Sequence, residues 1–365
     1  MTASNGRTSV IVVAHGHRAY LADCVRALER AAPAGTRLIL VDNASTDGTA
    51  EFVRSDILTP DGTATKGGLP AIFIASDKNL GFSGGNNLGF DLALRDEDEF
   101  IYLLNPDTEA QPGFLEAAWR VMTAHPAAGV VQSLLYLHPD TSRLNSWGNE
   151  IHFLGFGYAG GESVLADSVE ARRHLVVRDI AYASGAGMLI RTSCLRAIGN
   201  LDEELFAYHE DLEFSWRARL AGWRVLLAPE SVVWHKYEFS RSVQKWYWME
   251  RNRFLVTGWL YSIPTLIVLL PALIVTELAL WLFAVKGGWW REKLRAYGYV
   301  LDPRHWISFA RTRRAKQSLR RRSDREVTRL LTGVIVFERM ASPIVAFGNV
   351  ILGVYWRLVR LVMFW

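Results

Sequence analysis

The sequence predicts an α/β fold built on a mostly parallel sheet and followed by a helical region suited to a membrane surface. Three observations predict it. The first 110 residues alternate short β-branched apolar runs with segments of helical periodicity, chemically versatile residues fall directly after those runs, and the composition changes abruptly after Glu250.

Runs 9–14, 38–41, 71–75 and 100–104 read as strands, and 21–30, 49–54 and 85–95, with apolar residues three to four apart, read as helices. This alternation folds with right-handed crossovers into a parallel sheet, which binds ligands beyond the carboxyl ends of its strands. His15 follows the first run, Asp42 and Asn43 the second, and Asn105, Pro106 and Asp107 the fourth. Segment 60–70, rich in Gly and Thr, reads as a surface loop, and 138–178 is irregular, compatible with a hairpin or with loops. A strand over 183–191 then leads into a helix capped by Thr192. Within 205–222 the residues Leu212, Trp216, Arg219 and Leu220 have helical spacing, and Gly222 ends that helix.

The 365 residues, 50% apolar and 21% charged, exclude a disordered or collagen-like chain. Two cysteines, Cys24 and Cys194, form neither a zinc cluster nor a disulfide framework, and the early apolar run 10–14 is too short for a signal peptide, so a cytosolic start is expected. The net charge of +4 hides an asymmetry. After Glu250 there are 19 Lys+Arg and 6 Asp+Glu; subtracted from totals of 41 and 37, these leave 22 and 31 before it, a net of −9 against +13. A basic tail on an acidic body implies an anionic partner, nucleic acid or lipid headgroups. The 14 Trp residues and the apolar runs flanking the basic segment favour lipid over nucleic acid.

Residues 1–250 are therefore expected as one domain and 251–365 as a membrane-anchoring region: apolar 255–285, basic 286–329 and apolar or amphipathic 332–365. Run 255–285 is long enough for one crossing but is interrupted by Pro264, Pro271 and Glu277. A single crossing would also put the basic segment outside, against the positive-inside tendency. A bent or in-plane anchor is expected, with the basic segment on anionic headgroups and 350–365 in the interface, Arg357 and Arg360 snorkelling. A single span with the tail outside and a helical domain that packs or dimerises are the alternatives.

Several segments carry chemistry. In 41–49, Asp42 either holds a nucleoside donor edge or starts a turn, with Asp47 capping the next helix. In 79–87, Asn79 and the glycines, Gly84 among them, read as a turn where backbone approaches a ligand before a helix N-terminus. That turn lacks the spacing and position of a dinucleotide fingerprint, which excludes a nicotinamide enzyme. Asn105-Pro106-Asp107 outlines a hard-cation site, or ends a strand in a proline turn. Glu210 and Asp211 open a helix as caps, or supply a general base. His235 ends the run 232–235 as a structural imidazole or a ligand.

In this order the segments resemble the family 2 glycosyltransferases of GT-A fold, over residues 8–240. The resemblance implies that Asp42 is the nucleotide-binding acid, with His15, Asn43, Asn79, Gly84 and Asn105 on the nucleotide side. Asn105-Pro106-Asp107 corresponds to the Asp-x-Asp metal motif and Glu210-Asp211 to the Glu-Asp motif, in which Asp211 is the catalytic base and Glu210 the second candidate. His235 matches the metal-binding His of bacterial rhamnosyl- and galactofuranosyltransferases, and 183–188 is similar to their acceptor-side strand. Asn105 replaces the first acid of the metal motif, which shifts coordination onto Asp107 and His235. No Gln-x-x-Arg-Trp motif of processive synthases follows Asp211. The implied activity is inverting, Mg²⁺- or Mn²⁺-dependent transfer of one sugar from a nucleoside-diphosphate sugar, with dTDP-rhamnose the candidate donor. The implied acceptor is a polyprenyl-diphosphate-linked glycan of cell-surface polysaccharide synthesis, met at the cytoplasmic face of the cell membrane. The alternative is a catalytically inactive, nucleotide-sugar-binding membrane scaffold.

Overall fold

The computed structural model describes residues 7–237, 243–335 and 343–365. Positions 238–240 of the resembling segment and 336–342 of the expected tail lie outside the described residues. The chain divides into two compact units: Met1–Asn149, Ala159–Ala218 and Trp223–Glu238 form the first, and Glu150–Tyr158, Arg219–Gly222 and Phe239–Trp365 the second.

The first unit opens with β1 (Thr8–Ala14), α1 (Arg18–Ala31), β2 (Thr36–Asn43), α2 (Thr49–Phe52), β3 (Ala71–Ser76), α3 (Gly81–Arg95) and β4 (Phe100–Leu104). These strands pair in parallel in the order β4-β1-β2-β3, as the alternation predicts. Near-continuous apolar sequence in β1 and β4 matches burial on both faces of the sheet. One element departs from expectation. The glycine-rich stretch read as a turn before a helix at 85 is itself helix, from Gly81 onward. The reason is packing: a Cβ at Gly85 would lie 2.6 Å from Val13 Cγ1, and one at Gly89 2.6 Å from Ile11 Cδ1, so the glycines let α3 lie directly on β1.

The chain continues through β5 (Thr108–Ala110), α4 (Phe114–Ala124), β6 (Ala128–Leu137), β7 (Leu144–Ser146), β8 (Asn149–Ile151), β9 (Gly157–Ala159), α5 (Val169–His174) and β10 (Arg178–Asp179). It then forms β11 (Gly187–Arg191), α6 (Thr192–Ile198), α7 (Glu210–Leu220) and β12 (Arg224–His235). The irregular stretch thus holds β7, the short hairpin β8–β9 and α5, joined by loops. The strand expected from 183 begins only at Gly187 and runs antiparallel, wedged between β4 and β6. The sheet order is β10-β12-β6-β11-β4-β1-β2-β3, with β12 parallel to β6. Because β11 is antiparallel to both neighbours, β6 and β12 point the same way as β1 to β4. The carboxyl ends of these six strands therefore share one edge.

In the second unit the apolar run expected over 255–285 is broken at Tyr261–Ser262 into α8 (Gln244–Leu260) and α9 (Ile263–Lys286), Pro264 opening the latter. The basic segment forms α10 (Trp290–Leu301), α11 (Pro303–Ser318) and α12 (Asp324–Val327), and α13 (Pro343–Val362) follows. The unit holds a buried charge cluster. Lys293, fully buried, donates to Glu250 at 2.6 Å and to Glu277 at 2.8 Å, and Arg253 donates to the same two carboxylates. Residues 150–158 belong here, with Phe153 stacked on Trp356 at 4.8 Å.

Candidate active site

The shared edge collects the residues the sequence singled out. After β1 and β2, His15 Nδ1 lies 2.9 Å from the Asn43 carbonyl, and Asn79 Nδ2 lies 3.1 Å from His15 Nε2. The Asn79 amide is oriented by its oxygen, which accepts the Gly81 N–H at 2.9 Å. The Asn43 amide is fixed likewise, its oxygen accepting from Leu80 N–H and its nitrogen donating to the Gly81 carbonyl, both at 2.9 Å. One tautomer satisfies this network: neutral His15 with the proton on Nδ1. The end of β2 and the segments after β1 and β3 are thereby held together as one group. Asp42 is buried, and its Oδ1 accepts the Ser45 N–H at 3.2 Å. The turn role and a ligand role are compatible, since the second oxygen is left for a ligand. The N-cap of α2 is Gly48, and Asp47 Oδ1 accepts from the N–H and hydroxyl of Thr49 beside it. Gly84 sits buried in the first turn of α3, where a Cβ would lie 2.7 Å from Leu80 Cβ.

After β4, the Asn105 carbonyl accepts from Thr108 Oγ1 at 2.6 Å, and the chain turns directly into β5. β5 does not pair with β4's neighbours. It pairs with β12, two strands beyond β11, with Thr108 opposite His235. That crossing brings Asp107 to His235, Oδ1 to Nε2 at 3.5 Å. His235 is buried, and its Nδ1 lies 2.8 Å from Asn145 Oδ1 on β7. With the Asn145 oxygen as acceptor, Nδ1 carries the hydrogen, and in the neutral ring Nε2 presents a lone pair toward Asp107. Asp107 Oδ1 is buried with no hydrogen-bond partner. Burial pushes the Asp107 carboxyl up, but the imidazole beside it holds it below its ordinary value. The contact is satisfied either by a proton on Nε2, the form in which the imidazole lowers the Asp107 carboxyl, or by a cation between the two, and a carboxylate with an imidazole suits a divalent ion. Among the described residues no group of three or more His, Cys, Asp or Glu side chains is arranged to bind a metal, so the rest of a coordination shell would come from ligand oxygens and water. Lys236, next along, anchors this corner by pairing with Asp23 at 2.7 Å and Glu109 at 2.8 Å.

The acidic pair stands beside β11. Phe206, Tyr208 and His209 take left-handed backbone angles, φ 61°, 67° and 68°, immediately before Glu210. Non-glycine residues adopt this region at a cost, and such strain gathers at functional sites. Asp211 Oδ2 accepts the Gly185 N–H at 3.2 Å and Oδ1 the Leu212 N–H at 2.7 Å. Burial raises the Asp211 carboxyl to about 6, although the two N–H groups oppose the rise. Glu210 is buried, and burial together with the Asp211 charge pushes it well above its ordinary value. Its Oε2 has no hydrogen-bond partner. Asp211, raised to about 6, is ionised at neutral pH, the state that a general base needs.

The sequence model of glycosyl transferase family 2 matches residues 9–198, more than half of the 365-residue chain. The chain belongs to that family. Over 242 residues, 62% of this chain and 75% of the relative, it is 24% identical to an N-acetylglucosaminyl-diphospho-decaprenol L-rhamnosyltransferase of Mycobacterium tuberculosis. It is 29% identical over 205 residues to the low-salt glycan biosynthesis hexosyltransferase Agl10 of Haloferax volcanii, covering 52% of this chain and 61% of that one. Among solved structures, GalNAc-T7 with UDP, GalNAc and Mn²⁺ aligns with a TM-score of 0.52 at 13% identity, over 70% of this chain. This chain spans about half, 48%, of that structure, and at such identity the likeness concerns the fold alone. The family 2 chain thus has the expected GT-A architecture, a largely parallel sheet followed by a helical region.

Three features of the site have no signal in the sequence. β5 is only three residues long, Asn145 lies in the irregular segment, and the Gly185 contribution is a backbone N–H.

Proposed function

We propose that this family 2 glycosyltransferase transfers a single sugar, with inversion, from a nucleoside-diphosphate sugar to a lipid-linked glycan at the cytoplasmic face of a membrane. The observation that carries the proposal is the presence of the Asp107–His235 pair and an ionised, half-buried Asp211 along one sheet edge. Asp42 would take a donor edge of the nucleoside, with the His15–Asn43–Asn79 group and Asn105 shaping that end of the site. Gly84 would act through the close packing that sets the α3 N-terminus. Asp107 and His235 would hold Mg²⁺ or Mn²⁺, which when bound offsets the charge growing on the diphosphate leaving group.

Asp211 orients and deprotonates the acceptor hydroxyl. As that oxygen bonds to the anomeric carbon, the carbon–oxygen bond to the diphosphate breaks with its electron pair, and the proton passes to Asp211. Attack opposite the leaving group inverts the anomeric centre. Glu210, raised by burial and by the Asp211 charge, stays the second candidate. A deoxyhexose such as rhamnose on dTDP, and a polyprenyl-diphosphate-linked acceptor in envelope polysaccharide synthesis, are supported by likeness to the mycobacterial relative, whose name carries both a rhamnosyl and a diphospho-decaprenol group.

The test is a panel of nucleotide sugars with purified protein, Mg²⁺ or Mn²⁺ and a lipid-linked acceptor, read as nucleoside-diphosphate release and as the mass of the product. One added glycosyl unit from one donor, abolished in Asp107→Ala, is expected. Donor binding without release across the panel would favour the inactive scaffold.

A further inference from the structure

We infer that α9 and α13 form a seat that lies in one leaflet of an anionic bilayer and does not cross it. The inference deepens the membrane placement proposed above and is independent of the donor chemistry. At 24 residues α9 is long and apolar enough to cross a membrane, but its packing argues otherwise. Thr265, Leu269, Ala272 and Thr276 are buried within the second unit, while Ile267, Leu270, Ile274, Leu278 and Leu282 are exposed on the other side at helical spacing. The bare side is apolar throughout, and Leu282 is 76% exposed.

Glu277 cannot leave its partners. It is held by Lys293 and Tyr297 of α10 and by Arg253 of α8. A spanning α9 would drag α10 with it, and α10 carries the exposed Arg291 and Arg295. Arginines are costly at the centre of a bilayer. An in-plane helix buries only its bare face.

α13 repeats the arrangement alongside. Trp356, Val359 and Met363 face inward, and Phe347, Val350, Ile351, Val354, Leu358 and Leu361 are exposed. Tyr355 donates to the Val268 carbonyl of α9, and Trp365 Nε1 to Thr265 Oγ1 at 2.8 Å, so the two helices are neighbours. Apolar surface of this extent marks a membrane or a protein partner, and charge decides between them. After Glu250 the described acids, Glu277, Glu292, Asp302, Asp324 and Glu326, are all buried or half-buried. Lys286, Arg291, Arg325, Arg357 and Arg360 are exposed. Two copies meeting through these faces would set like charges together, whereas an anionic headgroup layer complements them.

The test uses the full chain and vesicles of phosphatidylcholine with and without phosphatidylglycerol. Co-flotation is expected, stronger with phosphatidylglycerol and weakened by salt. Leu278→Ser and Ile274→Ser change exposed positions, so the circular dichroism spectrum should hold while each lowers vesicle partitioning by about tenfold. Single cysteines replacing Ile267, Ile274 and Leu282, labelled with an environment-sensitive fluorophore, should be quenched to equal, shallow depth by brominated lipids. The native Cys24 and Cys194 are buried and stay silent. A deep Ile274 position with the other two reached from opposite sides of the vesicle would overturn the in-plane seat. So would absence of flotation with a dimer by light scattering. Metal-dependent donor binding, measured on the same variants, should be unchanged; its loss in the wild-type chain would count against the catalytic proposal and not against the seat.

Discussion

Replacing Asp211 by asparagine separates two consequences of one burial. The Asp211 carboxyl is raised from 3.8 to about 6 by burial, opposed by the Gly185 and Leu212 N–H groups. A folded-state value above the unfolded one means that the folded chain binds the proton more tightly. The stability this confers is full below pH 3.8 and lost as pH rises through about 6. About two pH units at roughly 1.4 kcal/mol each make the ionised Asp211 unfavourable to the fold by about 3 kcal/mol well above that range. Asparagine keeps an oxygen for the Gly185 N–H and carries no charge. Asp211→Asn should therefore be more stable than wild type by up to about 3 kcal/mol near pH 8, by about half as much near pH 5, and by nothing under strongly acidic conditions. For a unit of this size that is a rise in Tm of roughly 5–10 °C. The same change removes the proposed base and should lower turnover by about 10²–10⁴ with donor binding retained. Paired thermal unfolding curves and steady-state rates across pH provide the assay. A variant less stable than wild type near pH 8, or a Tm difference that does not change with pH, would refute the burial argument.

The remaining predictions follow from other contacts. The pH profile of kcat/KM in the wild type should fall about tenfold per unit below about pH 6, because only the ionised Asp211 accepts the acceptor's proton. Asn145→Leu deprives His235 Nδ1 of its acceptor at 2.8 Å and should weaken Mn²⁺ binding, measured by electron paramagnetic resonance, by about 10–100-fold, while Asn145→Asp retains it. Gly89→Val forces side-chain atoms where even a Cβ would be 2.6 Å from Ile11 Cδ1, and should lower stability in urea by about 1–3 kcal/mol. Lys293→Met removes one of the two cations that pair with Glu250 and Glu277 and should destabilise the second unit by about 3–5 kcal/mol in thermal unfolding.

The legible part of this molecule was the part governed by local pattern. Strand-end residues follow from apolar runs, so Asp42, Asn105, Asp107 and the acids before Leu212 stand out in a single sequence. Periodicity also located α1 and the core of α3, but not where α3 begins. A glycine that serves close helix–strand packing is indistinguishable in one sequence from a glycine that makes a turn, and only the approach to Val13 and Ile11 separates them. The partnership of Asp107 with His235 was illegible as geometry because it depends on β5 crossing to β12; the run 232–235 leaves His235 as a structural imidazole or a ligand, and only the resemblance implies a metal role. Asn145 is a polar residue in an irregular stretch, and nothing nearby marks it as the partner of a distant imidazole. The charge asymmetry of the tail was countable from composition, whereas the burial of its acids and the exposure of its cations emerge only from packing.

The central claim is that the edge holding Asp107, His235 and Asp211 performs metal-assisted transfer of one sugar. It is tested most directly by mass spectrometry of a polyprenyl-diphosphate-linked acceptor incubated with a nucleotide-sugar panel and Mn²⁺. The expected product is one glycosyl unit heavier, formed from a single donor, absent with chelator and strongly reduced in Asp211→Asn. A product formed equally well by Asp211→Asn, or formed unchanged with chelator present, would contradict it.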